Sequence, residues 1–345
     1  MILFVADQIA GAEYLFPLLR RWMARGITDW SVYGSDLATG FFKKKGIVCN
    51  VITNPAIVCE TVHGCRPQKA LMSASSNSKI EQSFRAALKQ AGVPCYQFID
   101  TWANYALRFH CIDSDGNAAL DFPDKILTLD ALARARMIEE GIPEDIIKII
   151  GQPYFEDHYL RVTTEPAPSS KPNKTLLVTQ PVAKYHGRGL GYDENDFLVT
   201  CLNAWRTAGL DWKLLGLAIH PEEDPKLHLN CIKSYSSKIA IVNNPSQKIP
   251  VCALLIGMFS SLLVQAVLFG VPAVSVQPNA AGRDVCHLSA QGIIPRVTEV
   301  AELAAYLDNF IRASNFAYPA KARAAFAEPF IGSCDRLEDF LLAST

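Results

Sequence analysis

The chain has 345 residues, half of them hydrophobic and 19% charged, which is enough for two globular domains and excludes a disordered chain. Its 33 Lys and Arg residues balance 34 Asp and Glu residues, so the basic surface that general nucleic-acid binding requires is not expected. The apolar runs are shorter than the roughly 20 residues that span a bilayer, and no basic segment precedes the first of them, as it would in a secretory signal. We expect a cytoplasmic protein.

Short apolar runs alternate with helix-period segments, which is the pattern of parallel strands joined by crossover helices. In the first half, the strands are predicted at residues 1–6, 31–34, 48–52, 70–74, 96–100, 125–129 and 148–150. The clearest helices are 13–25, which precedes Gly26, and 78–90, for which Ser78 is the expected N-cap.

Residues 161–174 contain three prolines among small polar residues, a composition that excludes a helix and indicates a linker. We therefore predict an N-terminal domain over 1–160 and a C-terminal, nucleotide-binding domain over 175–345, whose last helices could pack back on the first domain. The second half has predicted strands at 175–179, 212–219, 238–242, 253–258 and 272–277, and helices at 195–208, 261–269 and 298–313.

This order of elements predicts an α/β protein of two doubly wound, Rossmann-like domains. Ligands of such sheets bind at the carboxyl ends of the strands, so we expect the working site in the cleft between the domains. The ten cysteines are scattered and form no CxxC pair, which favours reduced thiols over disulfides or a zinc site. No metal and no cofactor are predicted.

The strongest chemical signal is a strand that runs through Gly257 into Ser260 and Ser261, which open the helix at 261–269. Two hydroxyls and several backbone amides would meet at a helix N-terminus, where the helix dipole favours a phosphate. The alternative is that Ser260 only caps the helix. The combination with Gly270 and Pro272 favours the phosphate site.

His220 and Gln180 follow two other predicted strands of the same half, and both are predicted to bind the donor. His220, which precedes Pro221, could donate to a phosphate and stabilise charge on a leaving nucleotide, with a structural histidine as the alternative. The acids of residues 222–224 are expected to form a solvated helix start rather than a metal site. The glycine-rich stretch 187–191 after Gln180 is either a flap over the substrate or an ordinary loop.

In the first half, Asp100 follows an apolar run and is the predicted general base on an acceptor hydroxyl. Asp7, after the first strand, and Glu13, at the start of the first helix, are its rivals for that role and are further predicted acceptor contacts.

The residues after Asp100 could line an acceptor site: Trp102 would supply a stacking surface, and Asn104 and Arg108 polar contacts. In the alternative, Trp102 belongs to the core and Asp100 forms a structural ion pair with Arg108.

These segments resemble glycosyltransferases of the GT-B architecture over nearly the whole chain, including the stretch 141–153 that closes the first domain. The pairs His220-Pro221 and Ser260-Ser261 are similar to the His-Pro and Ser-Ser motifs of bacterial polysialyltransferases and related CMP-sugar enzymes. Similar elements occur in CDP-glycerol polymerases of wall teichoic acid synthesis. The resemblance implies that the histidine and the serines contact the donor's phosphate.

Two features depart from that pattern. The acidic motif that carries the base in the sialyltransferases has no match, and the nearest string is residues 113–116. Gln265 stands where many GT-B enzymes carry a glutamate that holds the nucleotide ribose, and is the predicted counterpart of that contact.

We therefore expect an inverting, metal-independent glycosyltransferase that moves a sugar from a nucleotide-activated donor, with a CMP-sugar favoured, to a hydroxyl acceptor. The acceptor would be a surface glycan or a lipid-linked or protein acceptor, with peripheral membrane association possible. The alternatives are a CDP-polyol phosphotransferase, a nucleotide-sugar epimerase or hydrolase of the same fold, and a non-catalytic nucleotide-sugar-binding protein.

Overall fold

The structure is a computed structural model that describes residues 1–76, 78–112, 118–164, 174–280, 282, 284–312 and 319–343. It has two compact units. The first unit consists of Met1–Asp157 together with Glu328–Thr345, and the second unit of His158–Ala327.

The strands are β1 Ile2–Ala6, β2 Trp30–Gly34, β3 Asn50–Val51, β4 Lys69–Ser73, β5 Cys95–Phe98, β6 His110–Ile112, β7 Ala118–Leu120, β8 Lys125–Thr128, β9 Ile147–Ile149, β10 Thr175–Val178, β11 Leu215–Ala218, β12 Ala240–Ile241, β13 Leu254–Gly257, β14 Ala273–Val276 and β15 Arg296–Val297. The α-helices are α1 Ile9–Ala24, α2 Asp36–Lys44, α3 Val58–Cys65, α4 Lys79–Gln90, α5 Ala131–Glu139, α6 Pro153–Thr164, α7 Val182–His186, α8 Glu194–Thr207, α9 Pro225–Tyr235, α10 Pro245–Lys248, α11 Ser261–Phe269, α12 His287–Ala290, α13 Val300–Arg312, α14 Ala320–Ala327 and α15 Ser333–Leu342.

The sheet of the first unit is parallel, with the strand order β3-β2-β1-β4-β5-β8-β9, while β6 and β7 form a separate antiparallel hairpin. Alternate residues of β1 enter two different cores, because successive side chains of a strand point to opposite faces. Phe4 packs with residues of α1, α2 and α15, whereas Val5 packs with residues of α3 and α4. Helices therefore cover both faces of this sheet.

The sheet of the second unit is also parallel, with the order β12-β11-β10-β13-β14-β15. Leu177, Leu217 and Ile256 point to the face that is covered by α8, α9 and α13. Gly257 in β13 allows a close approach to β10, because a Cβ atom there would lie 2.8 Å from Cγ2 of Val178. The prediction of two Rossmann-like α/β domains is confirmed.

Most predicted elements occur close to their expected positions, and the helix predicted at 261–269 is found at those bounds. The Ser78 side chain caps α4 by accepting a hydrogen bond from the backbone of Glu81, as predicted. Helix α1 begins four residues before its prediction, at Ile9 rather than Glu13. Gly11 lies inside this helix at a position where a side chain would not fit, because a Cβ atom there would be 2.6 Å from the Cβ atom of Ser73.

Several strands are shorter than predicted. Only Asn50–Val51 of the predicted 48–52 pair with β2, and Val48 is 82% exposed. Residues Trp212–Leu214 form a 3-10 turn before β11. Strand β5 ends at Phe98, so Asp100 lies in the loop that follows it.

The prediction that residues 161–174 exclude a helix is wrong for the first four of them, since α6 continues to Thr164. The prolines of this stretch begin at Pro166, so they do not oppose helical geometry before residue 165. Of the rest of the predicted linker, residues 165–173 lie outside the described residues and only Lys174 is described. Residues 113–116 also lie outside the described residues. Within the described part of the chain, no helix is long and apolar enough to cross a bilayer.

Candidate functional site

Three strand ends of the second unit carry predicted donor-binding residues. Strands β11, β10 and β13 are neighbours in the sheet, and their carboxyl ends lead to His220, Gln180 and Ser260 respectively. Adjacent strands lie about 4.8 Å apart. The fold therefore brings these three predicted residues to the same edge of one sheet.

Ser260 is the N-cap of α11, with extended backbone angles and a side-chain oxygen that accepts from the backbone of Leu262 at 3.2 Å. This is the capping role considered as the alternative to phosphate binding. Ser261 is the first residue of the helix and its side chain is exposed. The pair thus divides into a serine that caps and a serine that faces solvent at a helix N-terminus.

Gln180 joins two of the strand ends. Its Oε1 atom accepts a hydrogen bond of 2.8 Å from the backbone of Phe259, the residue before Ser260. The Phe259 ring in turn packs edge-on against His186, with the ring centroids 6.1 Å apart. The amide side chain of Gln180 therefore fixes the backbone that leads into α11.

The ring of His220 is held in a defined tautomer. Its Nδ1 atom accepts a hydrogen bond of 3.2 Å from the backbone of Glu222, so the proton of the neutral ring lies on Nε2. Burial lowers the pKa of His220 below its ordinary value, although the charges of Glu222 and Glu223 oppose this effect. At neutral pH the ring is an uncharged hydrogen-bond donor.

The prediction that the acids after His220 form a solvated helix start is correct for Asp224, which caps α9, and wrong for Glu223. The Glu223 side chain is 1% exposed, and its Oε2 atom accepts a hydrogen bond of 2.8 Å from the backbone of His220. Thr179 and His228 enclose the same carboxylate. The sequence has no signal for this burial, because Thr179 is 44 residues away from Glu223.

The segment after Gln180 is attached to the His220 turn. On α7, the Lys184 ammonium and the Tyr185 hydroxyl donate to Oε2 of Glu222 at 2.7 and 2.5 Å. Farther on, Arg188 forms an ion pair of 2.7 Å with Asp193, the N-cap of α8. Whether residues 187–191 act as a flap stays a prediction.

Gln265 lies one turn inside α11 and is 2% exposed. Its buried Oε1 atom has no hydrogen-bond partner among the described residues. A ribose could reach this oxygen only if the surrounding side chains moved. The placement therefore gives no direct support to the predicted ribose contact.

In the first unit, Asp100 forms an ion pair of 2.9 Å with Arg108. Arg108 also donates to the backbone oxygen of Ala103 at 3.4 Å and is nearly buried. Trp102 is 6% exposed, and its indole nitrogen donates to Asp130 at 2.8 Å. Its ring stacks on Phe155 in the core, so the predicted role of Trp102 as a stacking surface for an acceptor does not fit its position. Asn104 is half-buried, with a positive φ of 57°.

Glu13, one of the two rivals of Asp100, has the properties of a proton-transfer group. Tyr154 donates to its Oε1 at 2.9 Å. Burial raises the pKa of Glu13 to about 7; the nearby charge of Asp100 acts in the same direction, while the Tyr154 hydrogen bond and Lys45 act against it. Both protonation states are therefore populated at neutral pH, which suits general acid and base catalysis.

Asp7, the other rival, is half-buried, and its backbone nitrogen donates to Ser73 at 3.4 Å.

A second acid with a raised pKa, which the sequence did not indicate, lies nearby on α4. Glu81 is 2% exposed and accepts hydrogen bonds from the backbone and hydroxyl of Ser75 at 2.6 and 2.9 Å. Burial raises the pKa of Glu81 to about 7. This carboxyl holds the loop between β4 and α4.

Among the described residues, no three His, Cys, Asp or Glu side chains form a group that could hold a metal ion.

No family model and no curated protein matches the sequence. Solved structures do match. The UDP-GlcNAc 2-epimerase of Neisseria meningitidis, bound to UDP-GlcNAc, has a TM-score of 0.69 at 10% identity, with 99% of each chain covered. The UDP-GlcNAc 2-epimerase of Methanocaldococcus jannaschii, in complex with UDP-GlcNAc and UDP, has a TM-score of 0.67 at 11% identity, again with 99% of each chain covered. Anabaena HepE in complex with UDP-glucose has a TM-score of 0.65 at 15% identity over 99% of each chain. The chain therefore shares its fold with proteins that bind nucleotide sugars.

Proposed function

We propose that the chain is an enzyme that binds a nucleoside-diphosphate sugar through its second unit and acts on the sugar without an acceptor other than water, as an epimerase or a hydrolase. The observation that carries this proposal is the placement of His220, Gln180 and the start of α11 at the carboxyl ends of three adjacent strands. The fold shared with UDP-GlcNAc 2-epimerases over the full chain length supports the nucleotide-sugar class and favours uridine over the cytidine donor expected from the motifs.

In this proposal, the exposed Ser261 at the N-terminus of α11 receives a phosphate. His220 donates its Nε2 proton in a hydrogen bond to the phosphate and stabilises the negative charge that develops on the leaving nucleotide. The ring does not need to gain or lose a proton for this role. Electrostatic stabilisation of the leaving group is therefore the contribution of the second unit.

We assign proton transfer to Glu13 rather than to Asp100. The partner of Glu13 is a phenol, whereas Asp100 has an oxygen occupied by the guanidinium of Arg108. A carboxyl that is partly protonated at neutral pH can both accept and return a proton during turnover.

Glycosyl transfer is the second candidate. The His220-Pro221 and Ser260-Ser261 pairs favour it, because they are similar to motifs of transferases, and Glu13 could then deprotonate an acceptor hydroxyl. The same site would in that case require an acceptor for turnover. The two candidates are separable by the presence or absence of reaction with the donor alone.

The test is incubation of the protein with UDP-GlcNAc, UDP-glucose and a CMP-sugar, each alone, with the products followed by phosphorus and proton NMR. A new sugar epimer or free UDP from the donor alone supports the proposal, and turnover only after addition of a glycan acceptor supports the transferase. A thermal-shift series with UDP, CDP, CMP and GDP accompanies it, since a ligand at a hundred times its Kd stabilises by about 2.7 kcal/mol. No shift with any nucleotide would contradict the proposed function.

A further inference from the structure

Glu223 is a buried carboxylate beside the predicted phosphate site, and neither the motifs nor the proposed chemistry uses it. Removing a carboxylate from water costs several kcal/mol unless its oxygens gain strong partners. The hydrogen-bond donors to its Oε2 atom lie in the loops that follow β10 and β11. Its Oε1 atom faces His228 on α9 and has no hydrogen-bond partner among the described residues. The backbone of His220 donates to Oε2 at 2.8 Å, and Nε2 of His228 lies 3.2 Å from Oε1.

Thr179 completes this group. Its hydroxyl donates to Oε2 of Glu223 and accepts a hydrogen bond of 3.1 Å from the backbone of His220. The backbone nitrogen of Thr179 donates to the oxygen of Ala218, in the neighbouring strand, at 3.1 Å. The carboxylate thus connects the end of β10 with the end of β11.

The turn itself is short and restrained. The backbone nitrogen of Glu223 donates to the backbone oxygen of His220 at 3.0 Å, and Pro221 fixes one backbone angle inside the turn. The same turn directs the Glu222 amide to Nδ1 of His220. A change in the position of Glu223 would therefore alter both the backbone and the ring of His220.

We propose that Glu223 is a positioning residue, whose carboxylate, hydrogen-bonded to Thr179 and packed against His228, holds His220 so that its Nε2 proton is presented to the phosphate of a bound nucleotide. This inference rests on the proposed function, since it assigns a partner to the ring. It adds a residue that does not itself contact the nucleotide but determines how well His220 binds it.

The first test uses Glu223→Gln and Thr179→Val, two variants that remove the charge and the hydroxyl with little change in volume. Calorimetry measures the affinity for UDP and for uridine, which lacks the phosphates. We expect each variant to weaken UDP binding about tenfold or more, as loss of a well-placed bond to a charged group does, and to leave uridine binding unchanged. Glu338→Gln is the matched control, because Glu338 is also a buried carboxylate but pairs with Arg25 in the first unit.

The second test does not depend on a ligand. The chain has 7 histidines, so nitrogen NMR of the imidazoles, with His220→Ala for assignment, reports the tautomer and titration of this ring. Glu222, Glu223 and Lys184 are the charged groups that act on it, and the charge of Glu223 raises its pKa. In Glu223→Gln the pKa of His220 should fall, and its Nε2-protonated signature should weaken.

Folded variants that bind UDP like the wild type and leave the His220 signals unchanged would overturn the inference. An equal loss of UDP and uridine affinity would do the same, since it would indicate general damage to the second unit. A wild-type protein that binds neither UDP nor uridine would instead overturn the proposed function, and the His220 signals would still decide whether Glu223 positions the ring.

Discussion

The hydroxyl of Tyr154 donates a hydrogen bond of 2.9 Å to Oε1 of Glu13. The two residues are 141 positions apart in the sequence. On one side of this pair, Tyr14, the neighbour of Glu13, stacks on Phe98 at the end of β5 with a centroid distance of 3.7 Å. Gln152 fixes the other side by donating to the backbone oxygen of Asp100 at 3.3 Å. The carboxyl of Glu13 is therefore held close to Asp100 and to the segment that begins α6.

Replacement of Glu13 by Gln should lower kcat by about a hundredfold or more, because removal of a general acid or base typically has an effect of this size. Binding of UDP should be unchanged, since the proposed nucleotide site lies in the other unit. Asp100→Asn is the matched comparison, as it makes the same change at the carboxylate paired with Arg108. Steady-state kinetics and calorimetry measure both variants. A larger loss of kcat in Asp100→Asn than in Glu13→Gln would return the assignment of the base to Asp100.

Replacement of Tyr154 by Phe should move the pH dependence of turnover in a defined direction. The hydrogen bond from Tyr154 stabilises the charged carboxylate and lowers its pKa, so its removal should raise the pKa of Glu13 above the present value of about 7. If the reaction needs Glu13 as a base, the acidic limb of the kcat profile shifts to higher pH, and activity recovers above that limb. Tyr306→Phe, on α13 of the second unit, is the control. An unshifted limb in Tyr154→Phe would contradict the assignment of that limb to Glu13.

The parts of the fold that the sequence predicts are those that depend on neighbouring residues. Phe4 and Val5 alternate between two cores, so an uninterrupted apolar run already indicated a strand buried on both faces. Ser78 and Ser260 cap helices through backbone groups two or three positions away. These local contacts explain why strand and helix positions were largely correct.

The parts that the sequence does not predict depend on distant residues. Glu223 follows His220 in a string of acids, and only the packing of Thr179 and His228 around it decides that it is buried. Glu13 and Asp100 cannot be ranked as bases from the sequence, because their ranking follows from one phenol and one guanidinium that tertiary structure places beside them.

Replacement of Glu81 by Gln should reduce the dependence of stability on pH. Burial raises the pKa of Glu81 to about 7, against the hydrogen bonds from Ser73 and Ser75, and the charge of Asp7 adds to the rise. In the unfolded chain a glutamate has a pKa of about 4.3. The folded state therefore binds more protons between these values, and stability falls as pH increases through that window.

The measurement is the free energy of unfolding in urea at several pH values between 4.5 and 8, with the slope compared rather than the absolute value. The free energy of unfolding of Glu81→Gln should change less with pH than that of the wild type, by on the order of a few kcal/mol across the window. The pKa of Glu13 is also raised in the folded protein, so the stability of the double variant with Glu13→Gln should depend least on pH. Identical slopes in the wild type and Glu81→Gln would show that Glu81 titrates normally in the folded protein.

The two serines at the start of α11 should separate stability from nucleotide binding. Ser260 caps the helix through Leu262, so Ser260→Ala should lower the free energy of unfolding by about 1 kcal/mol, the usual effect of losing an N-cap. Ser261 is exposed at the first helical position and has no capping role, so Ser261→Ala should leave stability unchanged. If its hydroxyl binds a phosphate oxygen, its loss should weaken UDP binding by roughly 1.5 to 3 kcal/mol. Urea unfolding and calorimetry on both variants, with uridine as the ligand that lacks phosphates, measure the two effects separately. Wild-type affinity for UDP in a folded Ser261→Ala protein would remove this hydroxyl from the proposed site and leave the serine pair with its capping role alone.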